Sequence, residues 1–373
     1  MRRLTTLFVL LAALPALADE PMQPLRPIDS AVAGQQATQP APAAQPAAKP
    51  AAPATSPAAK PAAQPASTPA ASGNLPQMSF MSDKATFAFS RERVLPEGDI
   101  LWPGFLNGMR GFEHFYEPVG NPLYFESPFI NTQAKILYLW HKFPRGSQIG
   151  GGDLSVFALQ ARIALTDRLA FIATKDGYSV LNAGILPPSH GWNDAAVGFK
   201  YAAIVDRESD FVLTPAIRWE WENGGRSVLQ GQDQELAPSL SFAKGWDQFH
   251  LLGNLAGRFP MDGNDGNYIL HWDLHLDYEV APEALPGFAP MLEFHGVHYL
   301  SDGDRLPLGV GGLDYTNLGS EHVAGNSVYS AGIGFRWKLT PHLSVGSVWE
   351  FPLSDPDNDI MGSRVTADVS LTW

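Results

Sequence analysis

The sequence predicts an all-β protein, an antiparallel transmembrane β-barrel of about twelve strands that follows a disordered N-terminal extension rich in proline and alanine. Two observations support this prediction. The C-terminal two thirds of the chain alternate apolar and polar residues with the period of two that strands show. The segments that connect these stretches are alternately short and long, as in a barrel with short turns at one rim and longer loops at the other.

Composition narrows the class of protein further. The 373 residues include no cysteine, so disulfides, thiolate nucleophiles and cysteine-based zinc sites are excluded. The chain has 25 Lys and Arg against 38 Asp and Glu, a net charge of −13, and we therefore predict no nucleic-acid partner. The mean hydropathy is −0.09, and no internal stretch approaches the roughly 18 apolar residues of a membrane-spanning helix.

Residues 1–18 have the pattern of a secretory signal peptide. Arg2 and Arg3 precede an apolar run from Leu4 to Leu14, and Ala16 and Ala18 form a small-x-small cleavage site. The alternative, an N-terminal membrane anchor, is disfavoured because the apolar run is short. We therefore predict an exported protein whose mature chain begins near residue 19.

The next two segments differ in composition. Residues 19–75 form a linker, and its part 36–72 contains 16 Ala and 9 Pro, a density that forbids helix and favours extended, solvated chain. Such a linker is a spacer that could contact a periplasmic partner or peptidoglycan. Residues 76–131 are aromatic and interrupted by prolines. They predict either a plug inside the barrel or a cap on its periplasmic mouth.

Residues 132–373 contain the predicted barrel. The clearest strand is the last, in which alternate residues from Val365 to Trp373 are apolar and those between them are polar. The predicted strands are 132–143, 153–165, 169–175, 192–205, 210–222, 235–245, 247–258, 268–280, 289–300, 327–338, 342–353 and 362–373. A few altered boundaries would give ten or fourteen strands instead. Four of the five connections after even-numbered strands are short, and all six after odd-numbered strands, including 176–191, are longer.

A strand that ends the chain on Trp373 resembles the closing strand of Gram-negative outer-membrane barrels, in which the terminal aromatic residue is part of the assembly signal. The resemblance implies an outer-membrane location, an N-terminal extension in the periplasm, and lipid and the barrel-assembly machinery as partners. The motif formed by Gly191, Asp194, Gly198, Lys200 and Tyr201 also resembles that of one family of such barrels, the outer-membrane proteins associated with the meta-pathway of phenol degradation, also described as transporter-like.

If the apolar faces contact lipid, the charged residues of the other faces line the lumen, because Arg or Lys on the lipid face would cost roughly 2–4 kcal/mol. The predicted lumen and solute-path residues are Arg162, Lys200, Arg218, Glu220, Glu222, Arg258, His271, Asp273, His275, Asp277, Glu279, Arg336, Glu350 and Asp368. They are densest in 271–279, where neighbours on one face lie about 6.6–6.8 Å apart. We predict a salt-bridge and hydrogen-bond ladder there, with a selective solute track or a metal site as alternatives.

No cofactor, metal site or catalytic residue is predicted. The spacing of Asp355, Asp357 and Asp359 resembles the start of a calcium loop, but the glycine and the later carboxylate of that loop are missing. A barrel hydrolase needs a serine and a histidine in contact on the outer face, and the candidates His298 and Ser347 lie two strands apart.

The expected function is passive passage of a small solute, aromatic or anionic, with the five inward Arg and Lys residues as an electropositive track. The first alternative is a non-conducting barrel that anchors the linker to an envelope partner. An outer-membrane hydrolase is the second. The lumen radius, which separates the first two, does not follow from the sequence.

Overall fold

The computed structural model describes residues 104–262 and 265–373. The signal peptide, the linker and the first part of the aromatic segment lie outside the described residues. Fifteen extended segments form twelve barrel strands, because the third strand has two segments and the fourth has three. The strands are β1 (Gln133–Phe143), β2 (Gly152–Ala164), β3 (Leu169–Lys175 with Tyr178–Ala183), β4 (Ser189–Trp192, Ala195–Tyr201 and Ile204–Asp206), β5 (Phe211–Trp221), β6 (Glu235–Trp246), β7 (Phe249–Pro260), β8 (Ile269–Tyr278), β9 (Phe288–Tyr299), β10 (Ser327–Thr340), β11 (Leu343–Pro352) and β12 (Ser363–Thr372).

The sheet closes on itself. Each strand pairs antiparallel with the next, and β1 also pairs with β12, with Gln133 opposite both Thr372 and Arg162. Closure gives every strand a neighbour on both sides, which is the condition for an all-β structure to cross lipid; the segment Ser189–Trp192, next to the loop end, pairs on one side only. The prediction of a twelve-strand antiparallel barrel is confirmed.

The third and fourth strands are longer than predicted. Tyr178 pairs with Trp192 and Leu181 with Ser189, so most of the predicted loop 176–191 belongs to strands, and that prediction is wrong except for 176–177 and 184–188. The reason is a break in the alternation. Thr174 and Lys175 are both buried, and the pairing register shifts between Ala173 and Lys175, so the alternation changes phase there; Gly177 follows with φ +107°, a backbone conformation that L-residues rarely adopt.

The two rims of the barrel differ. The turn end carries both ends of the barrel chain and the connections 165–168, 207–210, 247–248, 279–287 and 341–342. The loop end carries 144–151, 184–188, 222–234, 261–268, 300–326 and 353–362, with short 3₁₀ turns at Arg226–Val228 and Pro356–Asn358. No helix in the described part of the chain is long and apolar enough to cross a membrane.

The wall has an apolar outside and a polar inside. Its outer face exposes large apolar side chains on successive strands, among them Ile136, Phe157, Phe199, Ile217, Leu240, Leu255, Leu292, Ile333 and Val369. Residues one position away along the same strands are buried, and many of them are charged. This reverses the usual distribution of a water-soluble protein and suits a barrel surrounded by hydrocarbon.

Residues 104–131, here called the inner segment, begin at the turn-end rim, where Phe105 is exposed and Gly104 lies against Asp167, and run inside the barrel from Phe112 onward. Phe115, Phe125 and Phe129 pack near the turn end against small and aliphatic wall residues such as Val212 and Leu252. The segment rises toward the loop end and returns before β1 begins, with its apex near Tyr124. Most of the described part of the predicted plug-or-cap segment is therefore within the lumen, and its first residues cover part of the turn-end rim.

The connection 300–326, here called the inward loop, enters the lumen from the opposite end. Asp314 and Arg364 of β12 form a buried ion pair, with nitrogen–oxygen distances of 2.5 and 3.0 Å. The hydroxyl of Tyr315 donates to the Val228 carbonyl at 3.2 Å. The sequence predicted this connection as an external loop. Most of it instead fills the loop end of the barrel.

Trp373 lies at the seam between the first and last strands. Its backbone N–H donates to the Thr132 carbonyl at 3.0 Å, while its ring is 48% exposed. Because the ring contributes little to the packed interior, we expect Trp373→Ala to reduce the amount of assembled barrel without lowering the stability of barrels that do form. Heat-dependent migration of membrane fractions in SDS gels measures both quantities. Trp246→Ala, which removes a 50% exposed ring from the same end, should assemble normally, and equal losses in both variants would contradict the assembly signal.

Candidate solute path through the lumen

Glu126 of the inner segment is the partner of two wall cations. Its carboxylate accepts from Arg162 Nε and Nη2 at 2.8 and 2.7 Å and from Lys200 Nζ at 2.7 Å. All three side chains are buried. Burial alone would raise the pKa of the Glu126 carboxyl, but Arg162 and Lys200 hold it well below its usual range. The inner segment therefore carries the negative charge that these cations require.

Tyr124 occupies the apex of the inner segment between two guanidinium groups. The Cζ atoms of Arg218 and Arg258 lie 4.5 and 4.9 Å from its ring centroid, within the range of cation–π contacts. Its ring also stacks on His271 with a centroid separation of 4.6 Å. Arg218 donates to the backbone carbonyl of Leu123, so the apex is fixed by side chains from several strands.

The rising arm of the inner segment is held by carboxylates of β8 and β9. Glu293 accepts from the backbone N–H groups of Val119 and Gly120 at 2.9 and 2.7 Å. The side-chain amide of Asn121 donates to Asp273 at 2.6 Å. These bonds attach three consecutive residues of the segment to the wall.

Below these residues, the arm is held by Arg336 of β10. The guanidinium donates to the carbonyls of Glu117 and Pro118 at 3.0 and 2.9 Å, and it also pairs with Asp368. Burial opposes ionisation of the Glu117 carboxyl, yet neighbouring cations, with Lys135 the strongest, lower its pKa to about 2. At neutral pH this arm therefore carries a second carboxylate among wall cations.

Histidines and carboxylates form a ladder across strands β7, β8 and β9. His250 contacts Asp277 at 2.6 Å, Asp277 contacts His275 at 3.0 Å, and His275 contacts Glu293 at 2.8 Å. The contact between His275 and Asp277 is made along one strand, but the others are made across strands. The predicted residues therefore form hydrogen-bonded chains with partners that the single-strand spacing did not identify.

Twelve of the fourteen predicted lumen residues are buried on the inner face of the wall. They are Arg162, Lys200, Arg218, Glu220, Arg258, His271, Asp273, His275, Asp277, Arg336, Glu350 and Asp368. Glu222 is an exception and is exposed, because β5 ends at Trp221 before its alternation reaches that position. Glu279 is half-buried at the turn end, where it accepts from the Gly287 N–H at 3.2 Å.

The inward cations do not form the electropositive track that the sequence suggested. Arg162 and Lys200 share Glu126, Arg258 pairs with Glu235 at 2.6 Å, and Arg336 pairs with Asp368. Arg218 donates to a carbonyl of the inner segment and to the hydroxyl of Thr174 at 3.0 Å. Because each positive group has partners within the protein, the lumen offers these cations to an anionic solute only if the partners move away.

Sequence reasoning missed several residues of the lumen: Glu117, Glu126, Lys175, Glu235, Glu293, His295, Asp314 and Arg364. For Glu293 and His295, the signal was present as the same period-two alternation on β9 that identified the residues of β8. For Glu126 and Asp314 there was none, because both lie in irregular chain whose course depends on the finished barrel.

Three cavities lie along the wall formed by β9–β12. A cavity of about 330 Å³ opens at the loop end and includes Tyr299, Val328 and Asp359 among its lining residues. A small one of about 20 Å³, also lined by Val328, reaches Asn121 near the middle of the barrel. A third, of about 140 Å³ at the turn end, is lined in part by Glu117 and Arg336. Between the second and the third, Val119 and Gly120 of the inner segment contact the wall.

A serine and a histidine do meet on the outer face, but not the pair that the sequence offered. His298 Nδ1 lies 2.8 Å from Ser327 Oγ, on the neighbouring strand. The indole N–H of Trp272 donates to His298 Nε2 at 3.0 Å. Since Nε2 is then the acceptor, Nδ1 carries the proton and donates to the serine, which is the wrong tautomer for a general base. The expectation of no catalytic residue therefore still stands as a prediction.

Metal chemistry finds no support in the described residues either. They contain no grouping of three or more His, Asp or Glu side chains arranged to hold a metal ion. The motif from Asp355 to Asp359 forms a 3₁₀ turn in which the carboxylate of Asp355 accepts from the Asp357 N–H at 3.1 Å. At Asp355, the resemblance to a calcium loop thus reflects turn capping.

No family model and no curated protein matches this chain. Among solved structures, an outer-membrane channel from Pseudomonas putida F1 is 11% identical, with a TM-score of 0.48, over 69% of this chain and 100% of that one. The NanC porin is 8% identical, with a TM-score of 0.39, over 65% of this chain and 98% of the other. OprD from Pseudomonas aeruginosa is 9% identical, with a TM-score of 0.32, over 65% and 93%. Identities and TM-scores this low do not identify a family or a solute for this chain. The resemblance to the phenol-degradation family therefore stays a prediction.

Proposed function

We propose that the protein is an outer-membrane channel for a small solute, and that the inner segment blocks the solute path at rest. The observation that carries this proposal is the row of three cavities along β9–β12, interrupted where Val119 and Gly120 contact the wall. The loop end would face the outside and the turn end the periplasm, as the short turns and the export signal suggest.

The energetics of the lumen support a channel over a simple anchor. A barrel that served only as an anchor would be stabilised at least as well by an apolar interior, because buried ion pairs often contribute no net stability. The barrel wall, moreover, is complete without the inner segment, since all twelve strand pairings are made between other residues. The segment can therefore leave its place without breaking the strand hydrogen bonds that hold the wall.

Single-channel recording in planar bilayers tests the proposal. We expect the mature chain, residues 19–373, to give rare or no conductance steps, and the chain that lacks 19–131 to give stable steps. Both proteins must first show the heat-dependent SDS migration of a folded barrel. If neither protein conducts although both are folded, the channel proposal fails and the non-conducting anchor is favoured.

A further inference from the structure

The cavity at the loop end has an unusual chemical lining. It encloses about 330 Å³ between the end of β9, the inward loop and the connection 353–362. Three aspartates line it, Asp355, Asp357 and Asp359, and none of its lining residues is Lys, Arg or His. Backbone groups of 309–311 and the side chains of Gln148 and Asn326 add further hydrogen-bonding groups. Its size is within the range of small-molecule sites, and its charge selects against anions.

Asp359 is the residue that distinguishes this cavity from an ordinary acidic turn. Its side chain is buried, with the residue only 3% exposed, yet no hydrogen bond of good geometry reaches either carboxylate oxygen, and the Ile360 N–H makes only a weak contact. A buried carboxylate without a partner is destabilising unless the group is neutral or a cation joins it. In contrast, Asp355 is used in its own turn and Asp357 packs against Gly146.

The surroundings of Asp359 define the kind of cation that fits. A metal ion is disfavoured, because the described carboxylates do not converge as metal ligands. Tyr299, Val310 and Val328 supply apolar surface beside the acidic groups. An apolar group next to a positive charge is the chemistry of an organic amine. Its N–H donors would satisfy the oxygens of Asp359 once that side chain turns toward the cavity from its closed position.

We propose that the loop-end cavity is a binding site for a small organic cation, a protonated amine with an apolar group, and that Asp359 is its anionic partner. Binding itself does not depend on conduction. That the amine is also the cargo rests on the proposed channel function. The cavity adjoins the mid-barrel cavity at Val328, where Glu350 Oε2 and Asn121 Oδ1 are further buried acceptors without a hydrogen-bond partner.

The protonation state of Asp359 predicts a pH dependence for this site. Burial raises the pKa of the Asp359 carboxyl to about 7, and the Ile360 N–H and Arg364 of β12 offset this only in part. The other titratable groups at the cavity are Asp355 and Asp357 on the same connection and Tyr299 on β9. The carboxylate is therefore charged above about pH 7 and becomes neutral below it, so amine binding should weaken as the pH falls.

The test uses three probes with the same ring and different charge, namely benzylamine, benzyl alcohol and benzoate. Binding is measured by calorimetry on the folded mature protein in detergent. At pH 8.5 we expect benzylamine to bind and the other two not to bind. Asp359→Asn should weaken benzylamine binding about tenfold or more, the size of a charge-assisted hydrogen bond. Moving the wild type to pH 5.5 should weaken it to a similar extent, whereas Asp359→Asn should show little change with pH.

Asp304→Asn is the matched control, because it removes the same charge from an exposed position of the inward loop, outside the cavity lining. It should bind benzylamine like the wild type. Asp359→Asn is expected to fold, since it removes a buried charge without a partner, and heat-dependent migration checks this. Equal benzylamine binding by Asp359→Asn and the wild type, or equal binding of benzoate and benzylamine, would overturn the site. Absence of conductance would not change these binding results. Failure of the channel proposal is therefore distinguishable from failure of the binding-site proposal.

Discussion

Glu126→Ala is expected to release the inner segment and to open the barrel. The substitution leaves Arg162 and Lys200 as two buried cations without the carboxylate that both contact. Removal of one partner from a buried ion pair costs about 3–5 kcal/mol. Since about 1.4 kcal/mol corresponds to a tenfold change, the ratio of seated to released segment should fall by about a hundredfold or more.

Planar bilayers with increasing urea concentration provide the measurement for Glu126→Ala. Urea is included because Phe115, Phe125 and Phe129 also hold the segment by apolar packing, so release without denaturant can stay infrequent. We expect conductance steps to begin at a clearly lower urea concentration in the variant than in the wild type. The strand ladder itself should be unchanged, which the heat-dependent migration of the variant verifies.

Glu113→Ala is the control for this prediction. Glu113 belongs to the same segment, but its ion pair with Arg110 is half-exposed and 3.9 Å long, and its bond from the Gly111 N–H at 2.8 Å lies within the segment rather than to the wall. Its loss should therefore change the seating of the segment by less than about 1 kcal/mol. Its urea threshold should therefore match that of the wild type. If Glu126→Ala also matched the wild type while deletion of 19–131 opened the barrel, the two buried cations would not be what holds the segment.

Gly120→Ala is expected to displace the rising arm of the inner segment by steric conflict. A methyl group at this position would meet the Glu293 carboxylate and would lie 2.8 Å from His295 Nε2. Glu293 cannot move away cheaply, because it accepts the N–H groups of Val119 and Gly120 and also contacts His275. Overpacking of this kind costs about 1–3 kcal/mol, which would lower the seated fraction by about five- to a hundredfold.

Gly225→Ala serves as the control for the glycine substitution. A methyl group at Gly225 would find its nearest neighbour, Val228 Cγ2, at 3.6 Å, which is ordinary van der Waals contact. Open probability at a fixed urea concentration should rise for Gly120→Ala and stay unchanged for Gly225→Ala. If the inner segment stays in place in both variants, the Glu293 side chain moves more easily than its hydrogen bonds suggest.

The sequence by itself determined the wall of this protein. Alternation on a strand is a local property, because successive side chains point to opposite faces whatever the rest of the chain does. Val365, Val369 and Leu371 therefore marked the outer face of the last strand, and Arg162, Asp273 and Arg336 marked the inner face of theirs. The error at 176–191 arose where the bulge at Thr174 and Lys175, followed by Gly177 in a positive-φ conformation, interrupts that local signal.

Only the tertiary structure decided what fills the lumen. Glu126 and Asp314 lie in chain without a period, and their partners Arg162 and Arg364 are 36 and 50 residues away. Which cation each carboxylate meets depends on the closure of the barrel and on the path of two irregular segments through it. For this reason the sequence identified the inward cations correctly, yet it suggested an electropositive track where four of the five cations are paired with carboxylates and Arg218 is held by a carbonyl and a hydroxyl. The sequence also contained no sign that Asp359 would be buried without a hydrogen bond of good geometry.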